Sequence, residues 1–527
     1  MTKPVEPLLP APLPSFYDRW RTRVDSEPRL KRLYGWAVPA LITLLAAVLR
    51  LWNVGHPHEL VFDETYYVKD AWTQWVLGYA ATWPDDANER FAAGETDIFG
   101  TDPSYVVHPP LGKLLIGVGM WAFGPESSFG WRVSAALFGT ACVLVLYFLA
   151  RSLSGSVAFA GLAALFLAIS GLGIVMSRVA LLDVFLTFFV LLAFWFTVLD
   201  RRGHLDRLAG RFVSRAGDER AWGPLLWNRP WVIAAGAAAG AATAVKWSGV
   251  WMLAAIGIYL VVTDALERRR LGVAFWPVDA VRQGVASFLL LVPVALAVYV
   301  ASWTGWLTSD GGYDRHAADA DPATGLFAWV PLSLQSLWKY HQTIYGSMTN
   351  IMSDHPYESP AWQWPFLLRP TSMYAHATGD GQDGCAGGAN GCLEVLYSMP
   401  NPILWWASIA AAAYLFYRFA IARDWRHAVV LVGIVAAWLP WLFFERTVFQ
   451  FYTVLMEPFL LLALVFALQA LRGDADATSD RRLVGERIVL VFVVVVVGLS
   501  AFWYPLWSAV QVPYDFYRLH NWLTGWV

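Results

Sequence analysis

The sequence predicts an all-α polytopic membrane protein of about eleven transmembrane helices, N-terminus inside and C-terminus outside. Three observations carry this expectation. Of the 527 residues, 57% are hydrophobic and only 15% charged, which does not fit a soluble chain of several domains. Apolar runs of about twenty residues recur along the chain, the length that crosses a hydrocarbon core of roughly 30 Å. Many of the 30 tryptophans stand at the ends of those runs, as rings lying at headgroup depth do. The net charge of −2 says nothing about partners, and no nucleic-acid partner is expected.

Residues 1–34 carry Lys3, Arg19, Arg21, Arg23, Arg29, Lys31 and Arg32, are rich in proline and lack a small-residue cleavage site. They read as a cytoplasmic tail rather than a signal peptide. Residues 35–527 then read as one transmembrane domain, with apolar runs near 35–53, 131–150, 157–176, 180–199, 231–246, 248–264, 283–302, 402–420, 428–444, 449–471 and 487–506. The connections near 177–180 and 246–248 are short enough for tight helical hairpins. Arginine crowds every second connection: Arg201, Arg202, Arg207, Arg211, Arg215, Arg220 and Arg229 in one, Arg268, Arg269, Arg270 and Arg282 in the next. These connections read as solvated inside loops. The first outer loop, 54–130, holds only Lys69, Arg90 and Lys113 against eleven acids. The second, 303–401, is aromatic and poor in basic residues. Any chemistry therefore belongs to the outer face.

The outer loop opens with HELVFDETYYVKDAW, in which Asp63 and Glu64 precede a stripe of Val68, Ala71, Trp72, Trp75, Val76 and Tyr79. That spacing predicts an interfacial helix. Asp63 falls at its N-cap position, and Glu64 in its first turn suits the helix dipole. Capping and a role as a positioned base are compatible, because a cap is a rigidly aimed carboxylate. Further on, HPPLGKLLIGVGMWAFG (108–124) starts a helix near Pro109 or Pro110. A spanning helix there would invert all the later charge bias, so a re-entrant or interfacial helix is expected. Lys113, Arg178, Lys246 and Arg446 stand at outer ends of apolar runs. Singly each reads as a snorkelling anchor; together, beside acids on one face, they could hold a lipid phosphate. Cys142 reads as an inert core residue. Cys385 and Cys392, in GCAGGANGC, have too few other ligands nearby for a metal, and pair as a local disulfide if the loop faces an oxidising compartment.

FDETYYVKDAW, HPPLGKLLIG, SRVALLDVFLTFF, AVKWSG and HPYESPAWQWP (355–365) occur in this order, and over about residues 40–505 the chain resembles the protein O-mannosyltransferase family in its actinobacterial form. The resemblance implies a GT-C fold and a multi-pass protein of the bacterial plasma membrane with an active site facing outside. It also implies inverting transfer of mannose from polyprenyl-phosphate-mannose to Ser or Thr of exported polypeptides. Two departures stand out. The second outer loop, 303–401, is too short for the β-trefoil insert of eukaryotic relatives. Gln450, Phe451 and Tyr452 replace their His-His-Tyr run, so only Arg446 and Tyr452 carry over there.

The expected roles follow. Asp63 takes the acceptor proton and Glu64 orients acceptor or sugar, with either able to be the proton acceptor. Arg178, Lys246, Arg446 and Lys113 bind the donor phosphate. Tyr66, His108, His355, Tyr357, Trp362, Trp364 and Tyr452 line the substrate groove. No metal and no cofactor is expected, since Arg and Lys already face the leaving phosphate. Membrane lipid is a partner, and coupling to a secretion translocon stays open. The alternatives are a GT-C enzyme with a glycolipid or cell-wall acceptor, and a lipid or solute transporter.

Overall fold

The computed structural model describes residues 15–213, 222–349, 354–473 and 477–526. Lys3, Arg215 and Arg220, counted above as inside charges, lie outside the described residues, as does the expected tail over 1–14. Among the described residues, fifteen helices have ten or more residues. They are α1 (Phe16–Ser26), α2 (Pro28–Leu51), α3 (Glu64–Leu77), α4 (Leu111–Phe123), α5 (Ser128–Ser154), α6 (Val157–Ala168), α7 (Asp183–Val213), α8 (Pro230–Val245), α9 (Gly249–Arg270), α10 (Trp276–Ser302), α11 (Leu332–Thr349), α12 (Pro402–Ala422), α13 (Trp425–Trp438), α14 (Glu457–Arg472) and α15 (Ser479–Trp507).

All eleven expected runs hold a helix, and among the described residues eight helices are long and apolar enough to cross a membrane: α2, α5, α7, α9, α10, α12, α13 with its extension to Phe443, and α15. Three boundaries differ from expectation. The first spanning helix starts at Pro28 and the tail is already helical from Phe16, because Pro at the first helical position nucleates a turn there. The run 157–176 breaks: α6 stops at Ala168 and a short helix, Gly171–Val175, follows. The run 449–471 becomes helical in α form only at Glu457, because Gln450–Leu455 winds as a tighter 3-10 turn. That turn brings an aromatic residue of the expected run to the site described below.

α5 and α7 are the most buried of the long helices. Between α7 and α10 runs α8, whose sequence PWVIAAGAAAGAATAV is almost free of bulk. A Cβ on Gly236 or Gly240 would strike the backbone of Leu291 or Ala295 in α10, so the small residues let two backbones touch. The inner connections are not the solvated loops expected. Arg229 is buried against Asp200 at 2.5 Å, and Arg268 is buried between Asp264, at 2.7 Å, and Asp279. His204 joins Asp264 at 2.6 Å. The inner arginines thus tie α7, α9 and α10 together, and Asp264 serves that network.

On the other side, α3 and α4 pack on each other, and α4 on α5. With 13 residues, α4 is about 20 Å long, shorter than a hydrocarbon core of roughly 30 Å. The second outer loop contains a feature the all-α expectation omits. β1 (Thr371–Thr378), β2 (Cys392–Ser398) and β3 (Val512–Pro513) form an antiparallel sheet in that order. The Gly-rich stretch is the β1–β2 turn, and Cys385–Cys392 is a disulfide closing it. β3 follows α15, and Trp526 donates its indole N–H to the Leu367 carbonyl at 2.6 Å. The segment after α15 and the second outer loop therefore share a side. Arg482, at the start of α15, meets Asp18 at 3.3 Å at the opposite end.

Candidate active site

Asp63 sits on a turn that is built to aim it. Phe62 has φ 50°, a left-handed conformation costly for a bulky residue, at about 1–3 kcal/mol. Its ring is wedged edge-on among His355, Phe449 and Phe451, which holds the turn closed. Asp63 occupies the N-cap position of α3 but makes no capping hydrogen bond. Its carboxylate is therefore not consumed by the helix end, and the capping role is not realised. Instead Oδ2 faces the Tyr67 hydroxyl one turn along, 3.5 Å away. Burial pushes the Asp63 carboxyl up to about 6, against the pull of the Lys246 ammonium and with the repulsion of Asp183.

Glu64 points the other way and has no face left for a substrate. It is fully buried in a two-pronged pair with Arg132, at 2.8 and 2.7 Å. Its oxygens also accept the backbone N–H of Val61 at 3.0 Å and of Ala180 at 2.7 Å. Arg132 further donates to the carbonyls of Pro57 and Glu59. The expected orienting role is corrected accordingly: Glu64 is a positioning residue that fastens the Asp63 turn to α5 and to the α6–α7 junction.

The cationic side comes from three junctions. Lys246, where α8 ends, places Nζ 3.0 and 3.1 Å from the two carboxylate oxygens of Asp183 at the start of α7. The same ammonium lies over the Tyr452 ring, 4.3 Å from its centre, in cation–π contact. Arg446 donates to the Tyr452 hydroxyl at 3.4 Å and stacks on Trp441. Among the described residues Arg446 has no ion-pair partner, and its buried Nε has no hydrogen-bond partner. Tyr452, carried in by the 3-10 turn, thus bridges the Lys246 ammonium, which Asp183 pairs, and the Arg446 guanidinium, which has no ion-pair partner among the described residues.

The remaining expected residues divide. His108 is buried, tilted against Tyr67, whose hydroxyl faces Asp63, and burial together with Lys246 holds its imidazole well below the usual range, so it stands neutral there. His355 and Tyr357 pack behind Phe62, His355 Nδ1 accepting the Tyr357 N–H. Trp364 is buried against Trp441 and Tyr452 and supports the Arg446 wall from behind. Trp362, 57% exposed, and Tyr66, 64% exposed, are not gathered into this cluster. Two expected phosphate ligands are corrected. Arg178 is committed to backbone carbonyls of Trp52, Asn53 and Ser508, at 2.6, 3.1 and 3.3 Å, because the chain leaving α2 wraps round it. Lys113 is buried against Asp70 at 3.3 Å.

The family described as dolichyl-phosphate-mannose-protein mannosyltransferase matches residues 40–307. The C-terminal four-helix region of protein O-mannosyltransferase matches 333–526. The chain belongs to the protein O-mannosyltransferase family. The polyprenol-phosphate-mannose–protein mannosyltransferase of Mycobacterium tuberculosis is 35% identical over 99% of this chain and 97% of its own. That of Corynebacterium glutamicum is 30% identical over 98% and 96%. Among solved structures, the Saccharomyces cerevisiae Pmt1–Pmt2 complex bound to the sugar donor superposes with a TM-score of 0.67 at 14% identity, covering 93% of this chain and 92% of that one. The chain thus has the GT-C fold of this family of multi-pass membrane enzymes.

Sequence reasoning about this protein O-mannosyltransferase missed Tyr67, Arg132 and the partnership of Asp183 with Lys246. A signal existed for two of them. Arg132 begins an apolar run at its outer end, like the four cations that were singled out. Asp183 begins another at the same depth, and a buried charge there calls for an opposite charge. Tyr67 carried no signal, being one aromatic among many.

Proposed function

We propose that the protein moves mannose from polyprenyl-phosphate-mannose to Ser or Thr hydroxyls of exported polypeptides, on the outer face of a bacterial plasma membrane. The observation that carries this reading is the juxtaposition of Asp63 with the Lys246–Tyr452–Arg446 wall. The acceptor oxygen attacks the anomeric carbon as the bond to the lipid phosphate breaks, and the electron pair leaves on the phosphate. The hydroxyl proton passes to Asp63. A carboxyl poised near 6 is ionised at neutral pH yet basic enough to share a proton in the transition state. Lys246 and Arg446 meet the charge that develops on the departing phosphate, where preorganised electrostatics contributes most. They fill the place a divalent cation would otherwise take, so the proposed step needs neither metal nor cofactor. The aromatic wall round Tyr452 suits the sugar and the first isoprene units. The arginine asymmetry between loops supports the outward orientation.

The test is incubation of membranes with labelled polyprenyl-phosphate-mannose and a Ser/Thr peptide. Label should appear on the peptide, and Arg446→Ala should weaken donor binding at least about tenfold, the value of one charge-assisted contact. Label found on glycolipid, with the peptide unlabelled, would overturn the choice of acceptor. Unchanged donor affinity would remove Arg446 from the site.

A further inference from the structure

Within the second outer loop, between α10 and α11, residues 324–332 turn their apolar side chains outward. Leu326 is 86% exposed, Phe327 65% and Trp329 80%. On α11 the face opposite its buried residues continues the patch with Trp338 and Tyr345. Such a patch on one soluble surface would be an aggregation liability.

Three features say what covers it. First, no charged side chain occurs between Asp321 and Lys339. Lys339 at that boundary is folded back onto Asp321, at 3.1 Å, and onto the carbonyls of Ala317 and Asp321. Second, part of the backbone of the turn is satisfied from within. Gln335 accepts the Ala323 N–H at 2.6 Å and donates to the Val330 carbonyl at 2.7 Å, while Val330 and Ala328 donate to the carbonyls of Phe327 and Gly325. A turn that closes part of its backbone on itself and presents a run of apolar side chains suits a medium poor in water. Third, α11 is docked directly on the outer end of spanning helix α10. Trp303, Trp306, Leu337, Tyr340 and Ile344 form one packed cluster there. The turn therefore lies beside the level at which that helix leaves the hydrocarbon.

We infer that residues 325–332, with Trp338 and Tyr345, insert into the lipid leaflet on the Asp63 side and act as a monotopic anchor. The anchored helix also touches the site. His341 Nε2 lies 2.5 Å from the Tyr299 hydroxyl, which accepts the indole N–H of Trp247, the neighbour of Lys246. The Tyr340 hydroxyl donates to the Val106 carbonyl at 3.0 Å, just before His108. Insertion thus seats α11 as one wall of the approach to the site.

The test uses the full chain in lipid nanodiscs. An environment-sensitive fluorophore is attached at Trp329→Cys, with Leu326→Cys as a second position and Ala320→Cys as a polar control. Cys142 is buried and Cys385–Cys392 is a disulfide, so labelling is selective. The first two probes should show blue-shifted emission, quenching by doxyl-labelled phospholipid and loss of quenching by an aqueous cobalt complex, whereas the control should show the reverse. Free aqueous quenching at both apolar positions would overturn the inference. Shielding that arises only when a Ser/Thr peptide is added would overturn it too, in favour of a polypeptide docking surface.

Discussion

At the scale of single residues, the two adjacent acids have opposite fates, and their substitutions should separate. Asp63→Asn should abolish transfer while donor binding persists, measured by turnover and by lipid-donor titration. It should not lower the melting temperature. With its folded carboxyl raised to about 6 from the ordinary 3.8, Asp63 binds its proton more tightly in the folded state. Folding stability therefore falls as pH rises between those two values, and the neutral amide removes that loss. The same shift makes log(kcat/KM) rise with unit slope below about pH 6 and level off above it. A flat profile from pH 5 to 8 would remove Asp63 from the role of base. Glu64→Gln should do the contrary, breaking a buried, two-pronged ion pair at roughly 3–5 kcal/mol. It should lower the melting temperature sharply, and any surviving enzyme should turn over. Asp63 was legible because an acid pair after the first apolar run is out of place unless used. The separation of roles was not, because Glu64's partners Arg132 and Ala180 are remote in sequence and meet it only in the fold.

At the scale of elements, helices could be read because hydrocarbon thickness imposes a run length that survives any sequence detail. What could not be read is where a run stops being α-helical. Gln450–Leu455 is as apolar as its surroundings, and its 3-10 winding comes from Phe449, Phe451 and Tyr452 packing on Phe62, Trp364 and Trp441. The hairpin was also missed. Its Gly-rich turn and cysteine pair were noticed, but β1 buries only some alternate positions, too faint a period to outweigh a helical background. The disulfide joins residues seven apart, so in the chain-entropy account its loss costs roughly 2–3 kcal/mol of local order. Cys392→Ser should accordingly raise amide exchange across 371–398, read by hydrogen–deuterium exchange, while exchange in α5 and α7 stays unchanged. His56 Nε2, before the Asp63 turn, lies 2.9 Å from Glu394 Oε2 of β2, so modest loss of turnover should accompany it.

At the scale of the whole molecule, orientation is an expectation that rests on arginine counts alone, because the inside loops are where positive charge is retained during insertion. The inner loops' second use was not legible: Arg229 and Arg268 look the same in sequence as exposed Arg269 and Arg270, and only packing shows which are buried. The sidedness has a direct check. A membrane-impermeant maleimide applied to intact cells should label Asp515→Cys, beside the outer sheet, and should not label Arg481→Cys at the other end of α15. Equal labelling of both would contradict the single passage of α15 across the bilayer.

The third strand of the outer sheet has a consequence for biosynthesis. Its two residues emerge from the ribosome only after α15, so until then β2 keeps an open edge and the Tyr397 hydroxyl lacks the Trp526 carbonyl it later donates to. A truncated product stalled in the insertion machinery would hold Asp63, Lys246 and Arg446 yet leave β2 without the strand that pairs its free edge.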